Sequence, residues 1–143
     1  VKDQWILPNI CYEDIFGEEI ADQIRHEYKT GQPTPTVLLN VSNIAWFGNT
    51  IALPQHLQIS QMRSLETGRP MLRATNTGTT AVIDARGRPV AWLPPYTRGE
   101  LATTIQGTRG ATPFIRFGNL TILIVALAAL ITARLLATRK RSR

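Results

Sequence analysis

Residues 10–17 read Ile10-Cys11-Tyr12-Glu13-Asp14-Ile15-Phe16-Gly17 and contain the one cysteine among 143 residues. The residues before them, from Trp5 to Ile10, form a short apolar run typical of a strand. After them, apolar residues recur at every fourth position, Phe16, Ile20 and Ile24, with acidic and amide side chains between. That period predicts an amphipathic helix. Cys11 is therefore predicted to lie where a strand passes into the N-terminus of a helix.

Two interpretations of Cys11 follow from that position. At a helix N-terminus, unpaired backbone N–H groups and the positive end of the helix dipole favour a thiolate, which is a candidate nucleophile. Backbone donors nearby would then stabilise an acyl intermediate. A lone cysteine, however, commonly packs as a small buried hydrophobe. The spacing leaves both open, and Glu13 and Asp14 suit the first turn of a helix in either case.

Several motifs in series resemble one family. The segment Cys11–Phe16 resembles the nucleophile motif of the nitrilase, or carbon–nitrogen hydrolase, superfamily. Later segments resemble, in order and spacing, the apolipoprotein N-acyltransferase branch of that superfamily: Asn40–Gly48, Gln55-His56, Met62–Glu66 and Arg69–Gly78. The resemblance implies an α/β fold, namely the C-terminal half of a four-layer αββα sandwich over residues 1–112. A single transmembrane helix is expected to follow it.

The resemblance also implies a site. Cys11 is then the nucleophile, the backbone N–H of Tyr12 an oxyanion donor, and Glu13 a support of the active site. The loop after the second predicted strand is expected to line the substrate pocket, with Asn43, Trp46 and Phe47. Spacing alone would make Trp46 an aromatic that anchors a loop or core, and that alternative stays open.

The implied reaction is acyl transfer through a thioester. Cys11 takes an acyl group from a phospholipid and passes it to the N-terminal amine of a diacylglyceryl-cysteine lipoprotein; no cofactor is expected. The family's general-base Glu and its Lys precede the cysteine. Neither has a match in the ten residues before Cys11, because Lys2 is too close on the same strand. The chain by itself is therefore expected to be inactive, as a C-terminal piece of a longer enzyme.

Two other functions remain open at this point. A membrane-anchored amidase of the same superfamily would use the same cysteine and pass the acyl group to water. A non-catalytic, tail-anchored domain would merely bury Cys11. Whether an amine or water clears the acyl-enzyme distinguishes the acyltransferase from the amidase. The reactivity of the Cys11 thiol tests the non-catalytic alternative.

The rest of the chain alternates strands and helices, which predicts an α/β layer fold. The residue pair Arg63 and Glu66, three apart on a predicted helix, is expected to form an ion pair, in a structural role or in support of the active-site wall. The further predicted elements are a strand Thr36–Val41 covered on both faces, a helix from Pro54 to Thr67, a strand Met71–Thr75, a hairpin of Ala81–Asp84 and Pro89–Leu93, and a last strand Leu101–Ile105.

Charge and cysteine content exclude several classes of protein. The net charge is +6, yet five of the sixteen basic residues follow Ala133, so the excess is a terminal cluster and nucleic acid is not an expected partner. One cysteine excludes a disulfide within this chain and a Cys-rich zinc site. His26 and His56 lack the spacing of metal ligands.

The C-terminal part, residues 113–143, predicts a membrane anchor. Seventeen residues between Arg116 and Arg134 carry no charge. The long side chain of Arg134 can extend its charge to the membrane–water interface. The stretch that could cross a membrane therefore runs from 117 to 138, about 33 Å as a helix. A buried helix of a soluble protein is the competing interpretation. The basic cluster that follows predicts a cytoplasmic C-terminus, with the Cys11 domain on the opposite, periplasmic side of a bacterial inner membrane.

Overall fold

The computed structural model describes residues 3–141, with side chains through Thr138. Lys2 and Arg143 of the predicted basic tail lie outside that part, and of the tail's side chains only that of Arg134 is described. Five strands form one mixed sheet: β1 Ile6–Ile10, β2 Val37–Ser42, β3 Met71–Thr75, β4 Thr80–Ile83 and β5 Pro89–Leu93. The α-helices are α1 Gly17–Thr30, α2 Ala52–Thr67, α3 Pro113–Phe117 and α4 Leu120–Arg141.

Strands β1, β2 and β3 are parallel neighbours, joined by the crossover helices α1 and α2. Ile10 pairs with Val41, and Ser42 pairs with Thr75. The carboxyl ends of the three strands therefore meet at one edge, where open α/β sheets place their binding groups. The turns that begin at this edge position the candidate site.

The hydrophobic core lies between one face of the sheet and the helices. Apolar side chains from four strands pack there against α1 and α3, and the buried cluster comprises Leu7, Ile20, Ile24, Leu38, Met71, Ala81, Ile83 and Ile115. Ile20 and Ile24 belong to the every-fourth-residue pattern that predicted α1, and burial of that stripe confirms it.

The opposite face of the sheet is largely open. Ile6, Ile10 and Val41 point away from the helices and remain 53%, 65% and 50% exposed. The prediction that β2 is covered on both faces is therefore wrong at Val41. On the same face of β2, Val37 is buried and Leu39 is half-buried beside a cavity of about 220 Å³ that Leu101 also lines.

Most of the other predicted elements are confirmed. Helix α2 ends where predicted, because Gly68 adopts a left-handed conformation with φ of +61°. The β4–β5 hairpin turns at Gly87, also with positive φ, and Asp84 accepts hydrogen bonds across the turn. The predicted strand Leu101–Ile105 is wrong. That segment is irregular, because the chain returns across the sheet to Thr36, whose carbonyl accepts the Thr108 N–H at 3.0 Å.

The apolar C-terminal part is interrupted by Gly118, which has a φ of +55° and ends the short helix α3. Helix α4 begins at Leu120, three residues after the predicted start. The backbone N–H of Asn119 donates to Glu18 Oε1 at 2.9 Å, which fastens the start of α4 to α1. The stretch Leu120–Thr138 has a mean hydropathy of 2.4 and none of it is buried in the chain, so it is long and apolar enough to cross a membrane.

Candidate active site

Cys11 begins a tight turn between β1 and α1. A 3-10 helix spans Cys11–Ile15, and Cys11 itself has a φ of +53°, in the left-handed region. Such a conformation costs a non-glycine residue about 1–2 kcal/mol. Cys11 directly follows β1 and begins a helical turn, as predicted, but the turn is a 3-10 helix, and the predicted α-helix begins only at Gly17. The thiol owes its position to the turn and its contacts.

Glu13 stabilises this turn through two hydrogen bonds to neighbouring backbone N–H groups. Its Oε2 accepts the backbone N–H of Ile10 at 2.6 Å, and its carbonyl accepts the N–H of Phe16 at 3.0 Å. Glu13 thus stabilises the turn that carries Cys11, and its role in supporting the active site stays a prediction. Tyr12 is 63% exposed and packs edge-on against Phe16, with ring centroids 6.0 Å apart.

The turn that follows β2 meets the thiol. Cys11 Sγ lies 3.6 Å from the carbonyl oxygen of Asn43, and the indole Nε1–H of Trp46 donates to the same oxygen at 2.8 Å. The structure thus brings together three residues predicted for the site. The Trp46 ring is 82% exposed, so it is not a core aromatic. Phe47 shares the 3-10 helix Ala45–Phe47 with Trp46, and its ring is half exposed.

A third turn, after β3, adds Asn76, which the sequence prediction missed. Its Nδ2 donates to Asn43 Oδ1 at 2.7 Å, and its Oδ1 accepts the Ile44 N–H at 3.1 Å. Asn76 therefore holds the turn that faces Cys11. The signal available in the sequence was its place in Asn76-Thr77-Gly78, directly after a parallel strand that neighbours β2.

A buried aspartate and a buried arginine lie next to the Cys11 turn, on the inner side of the domain. Asp14 is fully buried; its Oδ2 accepts a short hydrogen bond from Ser60 and lies 3.8 Å from Arg73 Nη1. Burial raises the pKa of Asp14, and the Ser60 hydrogen bond and the charges of Arg73 and Arg63 oppose that shift. Burial lowers the pKa of Arg73 to about 10, so this guanidinium stays charged at neutral pH.

Helix α2 fastens the turn from its other side. Arg63 Nη1 donates to the carbonyl oxygens of Asp14 and Ile15 at 3.1 and 2.9 Å, and its Nη2 pairs with Glu66 at 2.8 Å. The predicted Arg63–Glu66 pair is confirmed. Because Arg63 also holds the turn that carries Cys11, the pair supports the wall of the site as well as the fold.

His56 lies one helical turn before Ser60 on α2 and is 6% exposed. Burial, and then the positive charge of Arg73, lower the pKa of His56. It is thus a neutral imidazole beside the buried pair at neutral pH. Within residues 3–141 no group of three His, Cys, Asp or Glu side chains is arranged to hold a metal ion.

The geometry defines what the thiol can do. A carbonyl oxygen accepts a hydrogen bond only from a protonated thiol, so the proton must leave Sγ before the sulfur attacks an electrophile. The exposed indole ring of Trp46, whose Nε1–H donates to the same carbonyl oxygen, provides apolar surface next to the thiol. This arrangement suits covalent catalysis on a substrate with an apolar group.

Comparison with known proteins identifies the family. The family model for carbon–nitrogen hydrolases matches residues 6–114. The chain belongs to the carbon–nitrogen hydrolase family. That match covers all five strands and the turns that carry Cys11, Asn43 and Asn76.

Relatives of high identity come from one branch of the carbon–nitrogen hydrolases. An apolipoprotein N-acyltransferase from Ralstonia nicotianae is 54% identical over 142 residues, which is 99% of this chain and 26% of that protein. Another from Nitrosomonas europaea is 58% identical over 116 residues, 81% of this chain and 22% of that protein. The chain thus spans about a quarter of the length of these curated relatives.

Solved structures show the fold. An amidase from Nesterenkonia sp. AN1, with an acetamide moiety attached covalently to its active-site cysteine, aligns with a TM-score of 0.50 and 17% identity over 64% of this chain and 36% of that one. A carbon–nitrogen hydrolase from Helicobacter pylori aligns with a TM-score of 0.51 and 12% identity, over 64% and 37%. The chain is therefore a partial nitrilase-like α/β sandwich with a long apolar helix at its C-terminus.

Proposed function

We propose that this chain carries the nucleophile of an N-acyltransferase of bacterial lipoprotein maturation. The observation that carries the proposal is the meeting of the Cys11 thiol and the Trp46 indole at the carbonyl of Asn43. That contact assembles a thiol and an exposed aromatic at the sheet edge where α/β proteins bind ligands. The homology to apolipoprotein N-acyltransferases over 99% of the chain supports the choice of reaction.

The proposed reaction has two half-reactions. A base removes the Cys11 proton, and the thiolate attacks the carbonyl carbon of a phospholipid ester. A thioester forms as the ester C–O bond breaks, and the lysophospholipid leaves with the proton. The α-amine of a diacylglyceryl-modified lipoprotein then attacks the thioester carbonyl carbon; an amide forms as the C–S bond breaks, and the proton lost by the amine passes through the base to the departing Cys11 sulfur. The Tyr12 backbone N–H is the proposed oxyanion donor in both steps.

The base that this scheme needs is proposed to lie outside residues 3–141. In the described part of the chain, Cys11 Sγ hydrogen-bonds to the carbonyl oxygen of Asn43, and a carbonyl oxygen is too weak a base to deprotonate a thiol. The resemblance places a Glu and a Lys before the nucleophile. The 143-residue chain is accordingly proposed to be inactive by itself, and the open sheet face around Ile6 and Val41 to be where the preceding half packs.

We further propose that α4 spans the bacterial inner membrane, with Cys11 on the periplasmic side and the C-terminus in the cytoplasm. The apolar stretch Leu120–Thr138 and the basic residues beyond it support that orientation. Both proposed substrates keep their acyl chains in a bilayer, so a tethered domain reaches them without extracting them. Trypsin should remove the basic tail in inverted membrane vesicles and leave it intact in right-side-out vesicles.

The deciding experiment measures the intact mass of the complete protein, this chain with the preceding part that its relatives have, after incubation with phospholipid vesicles. We expect a gain of one acyl group that hydroxylamine removes and that Cys11→Ala abolishes. Addition of a diacylglyceryl-cysteine peptide should clear the adduct as an acylated peptide. Clearance by water at the same rate without the peptide would instead establish the amidase, and no adduct in folded protein would exclude Cys11 as the nucleophile.

A further inference from the structure

A buried polar side chain reaches the Cys11 turn from β2. Asn40 is fully buried, and its Nδ2 donates to the carbonyl oxygen of Cys11 at 3.3 Å and to Asn9 Oδ1 at 2.5 Å. Its Oδ1 accepts from Arg73 Nη1 at 3.0 Å and from Ser42 Oγ at 2.5 Å. The proposed acyl transfer assigns no role to any of these side chains.

The contacts of Asn40 determine which way its amide points. A guanidinium only donates hydrogen bonds, so Arg73 must face the oxygen of the amide. The NH₂ group is thereby directed toward Cys11, whose carbonyl only accepts. Arg73 thus sets the orientation of the group that holds the nucleophile's own peptide unit.

Arg73 reaches the same turn by a second route. Its Nη1 donates to Ser60 Oγ at 2.7 Å, and Ser60 donates to the carboxylate of Asp14, which is part of the 3-10 helix Cys11–Ile15. Arg73 itself is 2% exposed, and its Nε donates to the Thr79 carbonyl at 3.3 Å. One rigid, buried guanidinium therefore fastens both ends of the turn.

We propose that Arg73 and Asn40 are positioning residues that hold Cys11 in its left-handed conformation and so place the thiol for attack. This inference rests on the proposed function. A cysteine with a φ of +53° relaxes to an ordinary conformation unless its neighbours hold it. The hydrogen bond to its carbonyl and the anchored Asp14 supply that restraint. Precise placement of a nucleophile raises the rate of the chemical step and leaves substrate affinity nearly unchanged.

Two variants and a matched control test the proposal. Asn40→Asp keeps the acceptor for Arg73 but has no donor for the Cys11 carbonyl. Arg73→Lys keeps the charge but loses the planar fork that reaches Asn40, Ser60 and Thr79 together. The control is Arg69→Lys. Arg69 is equally buried, at 1% exposed, and donates to the carbonyls of Pro35 and Gly110, away from the Cys11 turn.

Two measurements on the complete protein compare these variants with wild type: the kinetics of Cys11 acylation and amide hydrogen exchange. In single-turnover acylation of Cys11, we expect the maximal rate to fall about 10- to 100-fold in Asn40→Asp and Arg73→Lys, with the half-saturating phospholipid concentration within about twofold of wild type. Amide hydrogen exchange of residues 10–16 should accelerate in both variants while α2 stays protected. Arg69→Lys should leave both quantities near wild type.

Each outcome bears on the proposal. Wild-type acylation rates in a folded Asn40→Asp variant would overturn it, and so would an equal loss in Arg69→Lys. If Arg73→Lys does not fold, Asn40→Asp decides, because it retains every acceptor that Arg73 uses on that side chain. If wild type forms no acyl adduct, the proposed function fails. Hydrogen exchange then shows separately whether Asn40 and Arg73 hold the turn, and unchanged exchange refutes the positioning role.

Discussion

Cys11 and Trp46, 35 residues apart in the printed sequence, meet at one backbone oxygen: the thiol lies 3.6 Å from the Asn43 carbonyl and the indole nitrogen 2.8 Å from it. The indole hydrogen bond fixes that carbonyl, and the carbonyl in turn marks the resting position of the thiol. Because the Trp46 ring is otherwise exposed, it is free to contact a substrate that reaches Cys11.

Trp46→Ala is expected to weaken binding of the proposed phospholipid donor, with little effect on folding. Loss of apolar contact worth about 1–2 kcal/mol corresponds to a roughly 5- to 30-fold rise in the half-saturating lipid concentration. The measurement is Cys11 acylation against lipid concentration in the complete protein. The control is Trp92→Ala, since Trp92 is 60% exposed on the edge strand β5 and contributes nothing to the Cys11 turn. Equal effects of the two substitutions would contradict a pocket role for Trp46.

Glycine at position 11 is expected to stabilise the fold relative to alanine. Relief of the left-handed strain, about 1–2 kcal/mol, exceeds the entropic penalty of glycine, about 0.4–1 kcal/mol. Cys11→Gly should therefore unfold in urea with a free energy about 0.5–1 kcal/mol above that of Cys11→Ala. At Ile15, which has an ordinary φ in the same turn, the alanine variant should instead be more stable than the glycine variant. If glycine were the more stable, or the less stable, of the two at both positions, Cys11 would not be strained.

Arg63→Met is expected to destabilise the domain by about 3 kcal/mol, because it leaves Glu66 and two turn carbonyls without their buried donor. The matched control is Arg88→Met. Arg88 pairs with Asp84 on the surface, its side chain is 67% exposed, and such pairs contribute less than about 1 kcal/mol. Urea unfolding of both variants gives the comparison. A loss for Arg63→Met no larger than the control's would mean that the pair is only a surface feature.

His56 is expected to make the fold less stable in acid. Its pKa in the folded state lies below the ordinary 6.5, first through burial and then through Arg73. Below about pH 6.5 the unfolded chain binds the proton more readily, so the free energy of unfolding falls as the pH drops toward the folded-state pKa. The decrease in Tm from about pH 8 to about pH 5 should be smaller in His56→Gln than in wild type. Burial raises the pKa values of Asp14 and Glu66, which gives the opposite slope, and both carboxyls are common to the two proteins. Parallel pH profiles would contradict the prediction.

Local patterns in the sequence predicted the elements of the fold well. The every-fourth-residue stripe of Ile20 and Ile24, the glycine after α2 and the Gly87 hairpin each depend on neighbours within a few residues, and each element forms as expected. The predicted strand near Leu101 failed because an apolar run does not specify a pairing partner. The helix boundary at Leu120 was misplaced because hydropathy does not register the backbone break at Gly118.

The printed sequence was enough to predict the family, most of the strands and helices, the candidate cysteine and the apolar C-terminal helix, because these depend on short-range periodicity and on motifs that follow one another in the chain. Only the tertiary structure decided the left-handed Cys11, the part played by Asn76 and the Arg73–Asn40 contacts behind the turn. These rest on hydrogen bonds between residues 29 to 33 apart in the chain. Parallel pairing of β1, β2 and β3 brings such residues to one edge of the sheet, and no local pattern specifies which polar side chains then meet.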